Sequence, residues 1–193
     1  MTATTPHFKI LLIDNYDSFT YNIVHYLEKL NHEVAIMKND AIDFSRVNQY
    51  DKIIISPGPG LPSDAGDLML LLEEFYTQKP ILGICLGMQA LVQFFGGSLF
   101  NQDSVKHGVK EKINNLSSKL YTNLPQTFEV GLYHSWAVNI DEAKTLIPTA
   151  YSASHVLMSL EHSTLPIVGV QYHPESIMTE YGEVIFRNFL EYY

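Results

Sequence analysis

Ile81-Leu82-Gly83-Ile84-Cys85-Leu86-Gly87-Met88-Gln89-Ala90 joins an apolar, strand-like run to a helix-like pattern through Gly-x-Cys-x-Gly. A strand that turns sharply into a helix exposes the middle residue of the turn at the carboxyl edge of a sheet. Flanking glycines tolerate the crowded, strained backbone that such a turn needs. The free N–H groups of the helix start then face the side chain at the turn, which favours thiolate over thiol. Cys85, the only cysteine in 193 residues, occupies that turn. A lone cysteine in an apolar stretch also fits a small buried hydrophobe, so the local pattern alone leaves both readings open.

The flanking sequence repeats the same strand-then-helix rhythm. Phe8–Asp14, Glu33–Lys38, Lys52–Ser56 and Pro80–Cys85 are short, mostly continuous apolar runs, as expected of strands covered on both faces. Phe19, Ile23, Leu27 and Leu30 recur at helical spacing, with Asp17 or Ser18 as the expected N-cap, and a second helix is expected after Asp64. This alternation predicts an α/β fold with a mostly parallel central sheet flanked by helices, and ligand sites at the carboxyl ends of its strands. Beyond Ser98 the pattern changes to β-rich segments at Val105–Ile113, Thr127–Val138, Thr145–Ser152 and Val156–Leu160, read as a smaller antiparallel part. A buried strand at Ile167–Tyr172 and an amphipathic helix from about Glu180, carrying Val184, Phe186, Phe189 and Leu190, close the chain. Neither repeat nor linker interrupts it, so residues 1–193 are expected to form a single domain.

Composition narrows the functions. A formal charge of −9 with no cluster of Lys or Arg argues against nucleic acid and against an anionic membrane surface. No apolar run approaches the ~20 residues that span a bilayer. The start Met1-Thr2-Ala3-Thr4-Thr5-Pro6 has neither the basic nor the apolar region of a secretory signal, and one cysteine cannot form an internal disulfide, so a cytoplasmic location is expected.

Four loops carry groups capable of chemistry. Val170-Gln171-Tyr172-His173-Pro174-Glu175 puts an imidazole at a strand end and a carboxylate two residues on. His173 can take a proton from the Cys85 thiol and return it to a leaving amine, while Glu175 fixes its tautomer. Ser56-Pro57-Gly58-Pro59-Gly60 follows the apolar run Ile53-Ile54-Ile55. Stiff at its prolines and open at its glycines, it can aim the Gly58 N–H into a site and, with the Leu86 N–H, form an oxyanion hole. Asp14-Asn15-Tyr16-Asp17-Ser18-Phe19-Thr20 offers acidic and amide groups that brace neighbouring loops or cap a helix. Tyr133-His134-Ser135-Trp136 offers polar atoms among aromatics that packing alone also explains. Each loop taken singly is ambiguous. The Cys85 turn, the His173–Glu175 turn and the Pro-Gly loop together supply nucleophile, base, orienting carboxylate and oxyanion donors.

The segments Leu11–Asn22, Ile54–Gly66, Pro80–Leu91, Tyr133–Trp136 and Gly169–Ile177 resemble those of a class I glutamine amidotransferase, nearly end to end. Within that family they are similar to the glutaminase component, component II, of anthranilate synthase or of aminodeoxychorismate synthase, and Asp14–Thr20 points to this chorismate-using branch. The resemblance implies a flavodoxin-like sheet and hydrolysis of L-glutamine to glutamate and ammonia through a Cys85 thioester. His173 would move the protons and Glu175 would orient it. Gly58 and Leu86 would hold the oxyanion, and Gly58, Pro59, Gly60, Gln89, Ser135 and Trp136 would bind glutamine. It implies no metal in this chain. The partner would be a separate, large, Mg²⁺-dependent synthase subunit that adds the ammonia to chorismate, making anthranilate for tryptophan or, alternatively, aminodeoxychorismate for folate.

The sequence departs from the family pattern at Met88, where many relatives have histidine, at Trp136 in place of leucine, and at Lys106-His107-Gly108-Val109 in place of Met-His-Gly-Lys. The last affects a region that couples relatives to their synthase. Two competing readings are weaker. A phosphoacceptor receiver module would need an aspartate where Ser56-Pro57-Gly58 stands, and a γ-glutamyl peptidase is disfavoured by Asp14–Thr20 and by the lack of a secretory signal.

Overall fold

Continuous runs of Ile, Leu and Val become strands because a pleated segment covered on both faces removes every side chain from water. A computed structural model describes residues 6–193. In chain order the elements are β1 (Lys9–Asp14), α1 (Thr20–Lys29), β2 (Glu33–Lys38), α2 (Phe44–Val47), β3 (Lys52–Ile55), α3 (Leu68–Phe75), β4 (Ile81–Ile84) and α4 (Leu86–Phe94). Then follow β5 (Ser98–Asn115), β6 (Thr127–Asn139), β7 (Leu146–Ser152), β8 (Leu157–His162), β9 (Ile167–Val170) and α5 (Gly182–Tyr192). One nine-stranded sheet has the order β2-β1-β3-β4-β9-β8-β7-β5-β6. The half from β2 to β9 is parallel, and the pairs from β9 to β6 are antiparallel.

Successive residues of the parallel strands face opposite layers, as the two-residue period of a strand requires. Ile10, Leu12, Ile54, Leu82, Ile84, Val168 and Val170 pack with Ile23 and Leu27 of α1 and with Phe186 and Phe189 of α5. Leu11, Ile13, Ile53, Ile55 and Ile81 pack on the other face with Leu68, Leu71 and Leu72 of α3 and Leu91 of α4. The parallel order 2-1-3-4-9 reverses direction between β1 and β3, so the loops that follow these strands diverge and leave a crevice at their carboxyl ends.

The expected class and strand positions agree with this architecture, and several details differ. The antiparallel strands are joined edge to edge with the parallel ones through β8 and β9. Strand β5 starts at Ser98, earlier than expected, and a bulge at Gly108 (φ +67°) breaks its register against β6. Neither Asp17 nor Ser18 caps α1. That helix starts one residue beyond Phe19, and Asp17 instead accepts the Phe19 N–H. Asp64 lies in a single 3-10 turn, Pro62–Asp64, and α3 starts only at Leu68. The short α2 was not anticipated, its four residues being too few to show a helical period.

Lys52 is the anomaly of the core. It is only 4% exposed, its ammonium lies 4.6 Å from the centre of the Phe8 ring and 5.3 Å from that of Phe189, and no carboxylate pairs with it among the described residues. Burial pushes its pKa down to about 8, against the pull of Asp51. An unfolded lysine titrates near ~10.4. The folded state therefore binds fewer protons between these values, so stability rises with pH from about 8 towards ~10.4, and the burial penalty is fully present below about 8. Lys52→Met should raise the melting temperature at pH 7 by a few degrees and flatten that alkaline rise. A lower melting temperature at pH 7 would show that the aromatic contacts outweigh the cost of burial.

Candidate active site

The strand-to-helix turn after β4 is as tight as its glycines suggest. Cys85 sits at φ 51° and ψ −102°, a strained conformation for a residue with a side chain. A Cβ on Gly83 would lie 2.5 Å from the Gly87 carbonyl, and one on Gly87 would lie 2.7 Å from the Ile55 carbonyl oxygen. Both positions thus admit only hydrogen. Val170 O accepts the Cys85 N–H at 2.7 Å, tying the turn to the end of β9. The first N–H groups of α4 have no acceptor within the helix.

Beyond the end of β9, the chain doubles back in a tight turn. His173 Nδ1 and Glu175 Oε1 are 2.6 Å apart, and both residues are 2% exposed. A carboxylate can only accept, so Nδ1 donates and Nε2 is left as the basic nitrogen. That nitrogen has no hydrogen-bond partner among the described residues, yet Cys85 lies close enough to favour a proton on the ring. Burial disfavours the imidazolium, but the Glu175 carboxylate and the Cys85 sulfur outweigh it and hold His173 well above the usual histidine range. Edge contacts with Tyr133, at 4.8 Å between ring centres, and with Phe19, at 5.8 Å, fix the ring laterally. The turn itself is held by Thr179, which donates to His173 O at 2.6 Å and accepts from Gly131 N at 2.9 Å.

Behind this turn, α5 begins at Gly182, where a Cβ would fall 1.9 Å from the Pro174 carbonyl oxygen. Gly182→Ala should therefore displace the turn carrying His173 and Glu175 and reduce turnover on the order of 100-fold, the cost of an ångström of misplacement. Activity within threefold of the parent at unchanged melting temperature would contradict this.

The Pro-Gly loop meets the cysteine from β3. A Cβ on Gly58 would collide with Asn15 Cβ at 2.5 Å and with Leu86 Cδ2 at 2.9 Å, so the loop lies flush against the head of α4. Asn15 pins it: its N–H donates to Ser56 Oγ (2.9 Å) and its side-chain amide to Ser56 O (2.8 Å). Asn39 donates in turn to Asn15 Oδ1 at 3.1 Å.

These loops enclose two cavities that meet at Cys85. The first, about 170 Å³, is lined by Gly58, Pro59, Gly60, Cys85, Gln89, Tyr133, His134, Ser135 and Trp136. It brings together the substrate-binding candidates from β3, α4 and β6, with Leu86 buried behind it. The second, about 450 Å³, is lined by Tyr16–Phe19, Pro57–Pro59, Cys85, His107, Tyr133 and His173.

Other residues gain a place that sequence reasoning had not given them. Gln171, fully buried, donates to Cys85 Sγ at 3.5 Å and accepts from Gln89 Nε2 at 3.4 Å, linking nucleophile and cavity wall. It stood in the histidine motif, and only the path of the chain after β9 shows which way it points. His134 donates from Nδ1 to Trp136 O at 2.8 Å and is kept neutral by burial, which lowers its pKa to about 4. Met88 is no part of either cavity: it packs in an apolar cluster with Val92, Val138 and Leu160. His107 faces Tyr133 edge-on at 5.5 Å, Lys106 lies 3.7 Å from Glu111, and Val109 is exposed.

No helix among the described residues is long and apolar enough to cross a membrane. Residues 11–192 match the family model described as glutamine amidotransferase class-I. The chain is 44% identical over 187 residues to the anthranilate synthase component 2 of Lactococcus lactis, covering 94% of this chain and 93% of that protein. It is 38% identical over 187 residues to the aminodeoxychorismate/anthranilate synthase component 2 of Bacillus subtilis, covering 95% and 96%. A crystal structure described as that of a GMP synthase subunit from Thermoplasma acidophilum superposes with a TM-score of 0.86 at 29% identity, covering 97% and 94% of the two chains. These matches dispose of the receiver alternative. The strained cysteine elbow, the buried histidine–carboxylate turn and the match over residues 11–192 agree: the chain belongs to the class I glutamine amidotransferases and is an enzyme of that activity.

Proposed function

We propose that this chain is a glutaminase subunit that releases ammonia from L-glutamine for a separate chorismate-using synthase making anthranilate. The observation that carries the reading is the buried relay in which Glu175 holds His173 Nδ1 and leaves Nε2 free beside Cys85. His173, held well above the usual histidine range, already carries the thiol proton when Cys85 attacks the side-chain amide carbon. The oxyanion that forms is held by the backbone N–H groups of Gly58 and Leu86, and losing one such donor costs ~2.7–4 kcal/mol in a well-studied protease. Breakdown passes the proton from the imidazolium to the departing amine, releasing ammonia and leaving a γ-glutamyl thioester. Water, activated by the same imidazole, hydrolyses it to glutamate and restores the thiol.

Gly58–Gly60, Gln89 and the backbone at Ser135 and Trp136 hold the amino-acid end of glutamine, a role consistent with their shared cavity. The steps of this scheme draw on side chains and backbone N–H groups of this chain, and Mg²⁺ belongs to the partner synthase. The relatives named as component 2 support a hetero-oligomeric partner, and we place the reaction in the cytoplasm on the sequence reading alone. The Bacillus subtilis relative, named for both products, favours a second reading in which the same ammonia also serves aminodeoxychorismate synthesis. Purification of the chain from its source with its bound large subunit, followed by identification of the aminated chorismate, tests the assignment. Recovery of a synthase that aminates a different acceptor would refute it.

A further inference from the structure

In the Asp14–Thr20 motif, Asn15 pins the Pro-Gly loop, but the chemistry of Cys85, His173 and Glu175 gives the acidic and aromatic residues no direct task. The motif walls the cavity that Cys85 shares with His173, the one that Gln89 and Trp136 do not line. Asp14 is fully engaged by Thr20 Oγ1 (2.8 Å), the Asp17 N–H (3.2 Å) and Lys38 Nζ (2.5 Å). Asp17 is different: no Lys or Arg pairs with it among the described residues. Its Oδ2 accepts the Phe19 N–H at 2.5 Å. The Phe19 ring then stands edge-on to the His173 imidazole at 5.8 Å and tilted against Tyr133 at 5.1 Å.

We propose that Asp17 is a positioning residue for His173: it anchors Phe19 against the imidazole and lends that ring a second negative charge beside Glu175. Two observations converge on it. Asp17 and His173 line one cavity, and the chain between Asp17 and Phe19 is short enough to transmit the anchor directly to the ring contact. The electrostatics agree in sign. Burial raises the proton affinity of Asp17, whereas the Phe19 N–H and the positive charge of His173 lower it, and Asp14 raises it. The titratable groups around His173 include Glu175 from its own turn, Cys85 from the head of α4, neutral His134 and the Tyr133 ring from β6, His107 across the shared cavity from β5, and Asp17 from the loop after β1. Glu175, in direct contact, dominates, and Asp17 adds a smaller share of the same sign. That share retains the imidazolium until the departing amine has taken its proton.

Asp17→Asn separates charge from anchor, since an amide oxygen still accepts the Phe19 N–H. The test is a titration of the His173 imidazole nitrogens by ¹⁵N NMR on the full chain, paired with the pH profile of kcat/KM for glutamine. In Asp17→Asn the midpoint should fall by about half a pH unit, with the alkaline limb of the profile following it. Asp17→Ala, which also loses the anchor, should lower kcat a further ~10-fold with KM for glutamine little changed. A His173 midpoint in Asp17→Asn equal to that of the parent overturns the proposal, whether or not activity is lost. The inference rests on His173 as the proton carrier of the proposed reaction, but the NMR readout needs no glutamine. An unmoved midpoint with normal turnover therefore counts against Asp17 alone, whereas normal turnover without Cys85 counts against the proposed function.

Discussion

Cys85→Ala should abolish glutamine-dependent product formation, a loss on the order of 10⁴–10⁶, while the complex with the proposed synthase should still use free ammonia at the parent rate. The substitution is well suited to the site. Alanine keeps the Cβ and so meets the same backbone demand at φ 51°, and only the sulfur and its contact with Gln171 are removed. Stability should change little, because the residue lies at the meeting of two cavities and is incompletely packed. Steady-state assays with glutamine and with ammonium salts, on one preparation of the complex, check both halves. Equal loss of the two activities with the complex intact would mean that Cys85 supports the synthase rather than ammonia release.

Glu175→Gln should lower kcat for glutamine by roughly 10³–10⁴, as removal of the orienting carboxylate does in serine triads, with little change in KM. The amide keeps the shape of the side chain, and Glu175 lines neither cavity, so binding is spared. What is lost is the charge 2.6 Å from Nδ1. His173 is held well above the usual range mainly because Glu175 and Cys85 overcome its burial, so neutralising Glu175 lets burial dominate and its pKa falls. The imidazolium needed to protonate the amine is then lost at lower pH, and the alkaline limb of kcat moves down. A pH series of kcat and KM tests this. A rise in KM with unchanged kcat would show that Glu175 serves binding instead of proton transfer.

The sequence showed most clearly those features set by neighbours along the chain. Gly83 and Gly87 announce the elbow because their own backbones meet other backbones, and His173 and Glu175 lie two residues apart in one turn. The parallel half of the sheet was legible for a similar reason, since its strands are uninterrupted apolar runs. Features that depend on pairing across the sheet were not. Gln171 reaches Cys85 only because β9 lies beside β4, and the bulge at Gly108 exists only relative to β6. Met88, a departure from the family pattern, packs between Gly169 and the apolar cluster under the antiparallel strands, which its place in the sequence does not show. Asp17 was misread as a helix cap because spacing cannot tell a side chain that caps Thr20 from one that turns the chain two residues earlier.

The central claim is that the Cys85 sulfur attacks the side-chain carbonyl of glutamine. A glutamine analogue with a chloromethyl ketone in place of the amide places an alkylating carbon at that position, and mass spectrometry of the digested protein locates the bond it forms. The account predicts one label per chain, on the peptide containing Cys85, formed in step with loss of glutaminase activity and slowed by glutamine. Complete inactivation with the label on another residue, or with Cys85 unmodified, would contradict it.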